Sequence, residues 1–97
     1  MTRRVEDLLR VLIELQGRIL VPLDNLLGIV GKDPSRRKLR NAYNLCDGMR
    51  TQTAIARVAG LDKGNFSRAL RRWEEAGIAF RIGEDGRPLH LYLIPED

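Results

Sequence analysis

A mainly helical α+β fold, with several helices followed by one β-hairpin, is predicted by three observations. Apolar residues recur at spacings of three and four from Val5 to Trp73, the period of one helix face. Two short helical stretches meet at Gly60-Leu61, a tight-turn signal. Two runs that alternate apolar and polar residues flank Asp85-Gly86 near the end, as the strands of a hairpin would.

The first helix is expected over residues 3–16, where Val5, Leu8, Leu9, Leu12, Ile13 and Leu15 form a stripe wider than half a turn, with Val11 on its flank. One small partner element cannot hide such a stripe. Gly17-Arg18 loosens this helix, Pro22 suits the first position of the next, and Leu23, Leu26, Leu27 and Val30 make a second stripe. At about 25 cal/mol per Å² this surface costs many kcal/mol if left wet. Either the rest of the chain or a second copy covers it. The width of the stripe favours a homodimer centred on Val5, Leu8, Leu12 and Leu15.

Gly31-Lys32-Asp33-Pro34-Ser35 breaks the chain, dividing an N-terminal helical dimerisation region (1–31) from a second part (32–97) within one compact unit. Asp33 is placed to cap a helix with Pro34 at its first position. That helix reaches Cys46 and buries Leu39, Ala42, Tyr43 and Cys46. Arg36, Arg37, Lys38 and Arg40 at its start are either a solvated face or phosphate contacts. Asp47-Gly48 ends it, and Met49-Arg50 is expected to supply a short first strand.

Thr51 then caps a helix that places Ala54, Ile55 and Val58 on one face and stops at Gly60, where a residue without Cβ takes the left-handed conformation. Leu61 plugs the corner. Asp62 caps the following helix, expected from Lys63 to Ala76. Phe66, Ala69, Leu70, Trp73 and Gly77 share its dry side; Gly64, Arg68 and Arg71 lie opposite, with Asn65, Ser67 and Arg72 on the flanks. Residues 78–82 and 89–93 alternate with period two around Gly83-Glu84-Asp85-Gly86, a hairpin signal. Helix, turn, helix and hairpin in that order make a winged helix-turn-helix.

These residues also carry a likeness to a known family. The segment from Gln52 to Ile78 resembles the MarR-like transcription regulators through Gln52, Ala56, Gly60, Leu61, Lys63, Ser67, Arg68, Leu70 and the closing Glu74-Glu75-Ala76-Gly77-Ile78. The likeness extends over residues 38 to 94. It implies a cytoplasmic homodimer that binds double-stranded DNA and regulates transcription, setting two recognition helices in successive major grooves roughly 34 Å apart.

Charge agrees with that expectation. The net charge of +4 is unevenly spread: residues 1–31 are neutral overall, 32–77 carry +6 and 78–97 carry −2. The positive charge thus sits on the segment that helical spacing selects as a groove reader, which favours a polyanionic partner. A helix in the major groove presents its first two turns to base edges. Asn65 suits a bidentate pair with adenine and Arg68 one with guanine, each discriminating by about 1 to 3 kcal/mol. Lys63, Ser67, Thr51, Gln52 and Thr53 suit phosphate, Arg71 and Arg72 add charge, and Gly64 permits close approach. Glu84 and Asp85 at the hairpin tip are repelled by phosphate, leaving Arg87 as the wing's candidate for the minor groove, with Arg81 across the pair.

Other classes fit less well. An enzyme is not expected: His90 and Cys46 are far apart, carboxylates with metal-ligand spacing are missing, and so is a glycine-rich phosphate loop, hence no cofactor or metal is expected. Cys46 reads as a small core residue, excludes an internal disulfide and fits a reducing cytoplasm. His90 alternates with leucines and is expected on the surface of its strand. Tyr43 and Trp73 are expected in the core. The apolar run at residues 19–23 is far short of the about 20 residues that cross a bilayer, so no membrane partner is expected. No effector ligand is legible. The rival reading is a winged helix used for protein docking or within a replication initiator. The acidic tip and the apolar N-terminal region favour that rival; Asn65, Arg68, Arg71 and Arg72 disfavour it.

Overall fold

The computed structural model describes residues 2–95. The chain runs α1 (Thr2–Leu20), α2 (Leu23–Val30), a 3-10 turn (Pro34–Arg36), α3 (Arg37–Leu45), α4 (Gln52–Ala59), α5 (Lys63–Glu75), β1 (Ala79–Ile82) and β2 (Arg87–His90).

Local chemistry sets the ends of the central helices. Thr51 Oγ1 accepts the Ala54 amide at 3.2 Å and so starts α4. Gly60 at φ 72° ends it, which lets the Leu61 amide turn back to the Ala56 carbonyl at 2.9 Å. Asp62 Oδ2 accepts the Asn65 amide at 3.1 Å and starts α5. Gly77, also left-handed, ends that helix, and the Ile78 amide returns to the Trp73 carbonyl at 2.9 Å. The chain therefore enters β1 already folded back on α5. β1 and β2 pair antiparallel, Ala79 opposite His90 and Ile82 opposite Arg87.

One buried cluster joins all of this. Phe66, Ala69, Leu70 and Trp73 of α5 meet Ala42, Tyr43 and Cys46, Ile55 and Ala56 of α4, and Leu26 and Val30 of α2. Trp73 meets the rings of Tyr43 and Phe66 edge-on at 5.2 Å and 6.0 Å, the geometry that the ring quadrupoles favour. Tyr43 also ties α3 to the hairpin: its hydroxyl donates to the Ile78 carbonyl at 2.6 Å and accepts the Leu91 amide at 2.9 Å. Asn44 grips the tail like a strand partner, its amide giving to and taking from Ile94 at 2.8 Å each. Because Leu26 and Val30 belong to this cluster, the core continues across residue 31.

Several sequence expectations need correction. α1 is not loosened at Gly17 but continues to Leu20. Gly17 is buried, and a Cβ there would lie 2.4 Å from Leu91 Cγ; the glycine serves close packing against the tail rather than flexibility. Val58 is exposed, and the inner face of α4 is Ile55, Ala56 and Ala59. Met49-Arg50 forms no strand. Asp47 alone bridges Leu89, and its Oδ1 takes the Met49 and Arg50 amides at 2.8 Å and 3.2 Å, which curls the chain away. Asp33 caps with no side-chain bond; its carbonyl takes the Arg36 amide at 2.8 Å. β2 is earlier than alternation suggests, because Leu91, Tyr92 and Ile94 leave the ladder to be buried in the core.

α1 differs from the other helices. Its edge at Arg10, Ile13, Glu14 and Gly17 lies against the domain. Val5, Leu8, Leu12, Leu15 and Ile19 lie on the opposite side and are 50–79% exposed. Among the described residues, no helix is long and apolar enough to cross a membrane.

Candidate nucleic-acid interface

The inner anchors of α5 fix what its outer side presents. With Phe66, Ala69, Leu70 and Trp73 buried, the 3.6-residue period turns Gly64, Arg68 and Arg71 outward. Lys63, Asn65, Arg68, Arg71 and Arg72 are exposed, while Gly64 and Ser67 are half-buried. Arg68 folds towards the helix start and donates to Asn65 Oδ1. A Cβ at Gly64 would lie 3.3 Å from Arg68 Nη1 and 3.2 Å from Asp62 Oδ2, so the glycine gives that guanidinium its room. Arg68 and Asn65 form one polar unit, and Asn65 keeps its amide N–H groups and a second lone pair on Oδ1.

At the start of α4 the candidate residues are engaged to differing degrees. Thr51 is exposed, with its oxygen accepting the cap bond, and Thr53 is exposed. Gln52 is half-buried and its Oε1 accepts from Arg81 Nη2 at 3.0 Å. Arg81 also pairs through Nε with Glu74 at 2.6 Å and reaches the Gly86 carbonyl at 3.1 Å. It thus bolts α4, α5 and the hairpin together, a role that no local sequence signal shows.

Arg87 departs from the expectation of a groove-entering side chain. Its Nε holds Asp85 Oδ2 at 2.7 Å, and its Nη1 donates to the Met49 carbonyl. The hydrogen bond from Arg87 holds the Asp85 carboxyl below the usual carboxylate range. Neither hairpin arginine is therefore free, and Glu84 is exposed at the tip.

The basic run at the start of α3 divides by direction. Arg40 is structural, donating to the Gly31 carbonyl at 2.9 Å and the Asp33 carbonyl at 2.7 Å. Arg37 lies along a different groove, with Asn41, Asn44 and Pro95. Arg36 and Lys38 instead line a cleft shared with Asn65, Arg68 and Arg72. Sequence alone gave these four cations equal standing.

Two remaining groups are settled by burial. The Cys46 thiol is fully enclosed, donates to the Ala42 carbonyl at 3.3 Å, and is pushed up to about 12 by desolvation. It is therefore a protonated core group at neutral pH. His90 is not a surface residue: it is half-buried, with its ring tilted against Tyr43 at 5.8 Å. Burial lowers its pKa, with Glu14 and Asp47 pulling the other way. Among the described residues no cluster of three or more His, Cys, Asp or Glu side chains is placed to hold a metal ion.

Val5, Leu8, Leu12 and Leu15, expected at a dimer centre, are brought together on the outer face of α1. Comparison with known proteins returns no significant match to a family model, a curated protein or a solved structure. The functional reading thus rests on these residues and their geometry.

Proposed function

We propose that this chain is a sequence-specific DNA-binding regulator of the MarR-like winged helix-turn-helix kind, acting as a homodimer. The observation that carries the reading is the outer side of α5: three arginines, a lysine and an asparagine exposed on a helix whose opposite side is buried throughout. A helix of that width fits the major groove. Arg68 and Asn65 face base edges, Arg71 lies beside them, and Lys63, Ser67, Thr51 and Thr53 face phosphates. Gln52 acts through Arg81, positioning the start of α4. The hairpin is left out of the groove, because Arg87 and Arg81 are engaged and the tip is acidic.

Dimerisation is supported by α1. Val5, Leu8, Leu12, Leu15 and Ile19 follow one another at intervals of three and four on its exposed face, the a/d spacing of a two-helix seam. A second copy would cover that stripe and set two α5 helices on one duplex.

Selection of bound duplexes from a random pool tests the reading. Arg68→Ala should relax preference at one position of each half-site, by about 1 to 3 kcal/mol. Lys63→Ala should weaken all duplexes alike and lower the salt slope by about one. A protein that retains no sequence preference at physiological salt would sink the reading. The engaged hairpin arginines favour a second reading, a protein-docking module, which predicts loss of all duplex binding at that salt.

A further inference from the structure

Arg36 and Lys38 from one wall, and Arg68 and Arg72 from the other, converge on a cleft of about 470 Å³ between α5 and the 3-10 turn with the start of α3. Ser35 and Asn65 add a hydroxyl and an amide, and the cleft is also lined by Leu39 and Leu61. Among the described residues no carboxylate lines it. The side chains of Arg36, Lys38 and Arg72 make no hydrogen bond or ion pair with the described residues, and Arg68 holds only the neutral Asn65. Four like charges gathered in one concavity repel one another and raise the local positive potential. An anion in the cleft would offset that repulsion.

We propose that this cleft is a phosphate-holding subsite. Arg36 and Lys38, facing Arg72, clamp one backbone phosphate of the bound duplex and fix the register of α5 without reading sequence, while Arg68 beside them keeps its base contact. Guanidinium forks on both walls suit the oxygens of a phosphate, and Lys38 adds a point charge. For the source of the phosphate this subsite rests on the DNA-binding reading; its chemistry does not, since the phosphate of a free nucleotide presents the same oxygens.

The test is the double variant Arg36→Ala/Lys38→Ala. Both side chains are exposed, so an unchanged thermal midpoint should show that the fold is intact. Duplex affinity is measured against salt on a selected site and on a scrambled one. The variant should weaken both by the same factor and reduce the salt slope by about one. An unchanged slope overturns the subsite while leaving the recognition helix untouched.

If the wild-type chain binds no duplex, the DNA-binding reading fails by itself. The clamp is then decided by amide NMR of the isotope-labelled protein titrated with inorganic phosphate and with ADP. Saturable shifts at Ser35, Lys38, Asn65 and Arg72 that vanish in the double variant keep it, with a small phosphate compound as the ligand. Shifts that do not saturate overturn it.

Discussion

Tyr43→Phe isolates one link between the helices and the hairpin. The substitution keeps the ring, and with it the edge-on contact to Trp73 at 5.2 Å, but removes the hydroxyl that bonds the Ile78 carbonyl and the Leu91 amide. Two bonds at about 0.5–1.5 kcal/mol each suggest a loss of about 1 to 3 kcal/mol. Orphaning both backbone groups would raise it to about 2–6 kcal/mol. The structure decides between these, because the Leu91 amide also bonds the Ile78 carbonyl at 3.1 Å. Each group keeps the other, and the lower figure applies: about 1–2 kcal/mol after relaxation. For a domain of this size the thermal midpoint should fall by roughly 4–16 °C. Equilibrium urea unfolding should show the loss with an unchanged m-value, and hydrogen exchange should place it at Leu91. A loss below about 0.5 kcal/mol would mean that the hydroxyl does not hold the hairpin. One above about 3 kcal/mol would mean that the backbone pair fails without it.

Leu12→Asp places a carboxylate on the exposed face of α1, so the chain should stay folded and sediment as a monomer under the conditions in which the proposed homodimer of the wild type forms; a monomeric wild type, or a dimer persisting in the variant, rules out the seam. His90 is held neutral by burial, with its pKa lowered from the ordinary value of 6.5, so the unfolded chain takes up that proton at higher pH than the folded one. The histidine's contribution should be complete above about pH 6.5 and decline as pH falls below it; His90→Gln should flatten that part of the curve, and identical curves for the two proteins would refute the buried placement. Cys46, enclosed and protonated, should react with an aromatic disulfide reagent at neutral pH only as fast as the protein unfolds, and prompt labelling of the native state would contradict its burial.

Local chemistry made the ends of the central helices legible in the sequence. Thr51, Gly60 and Asp62 act through their own backbone neighbours, within four residues, and Phe66, Ala69, Leu70 and Trp73 mark the buried side of α5 by period alone. Where a residue's role depended on chain far away, the sequence misled. Gly17 reads as a helix loosener, but Leu91 makes it a contact point. Arg87 reads as a free cation, but the Met49 carbonyl ties it back. His90 reads as exposed because alternation assigns a side of the strand without showing what packs over that side.

The basic run at residues 36–40 shows the same division most plainly. Composition established that four cations stand at the start of α3. Only the fold decided that Arg40 braces the Gly31 and Asp33 carbonyls while Arg36 and Lys38 turn towards α5. Charge and helical period are properties of neighbours along the chain, so the sequence by itself determined the segment that bears the cations and the side of α5 that stays wet. Which cations are free and which are engaged depends on contacts between residues distant in sequence, and these exist only once Trp73, Tyr43 and Leu26 have closed the core.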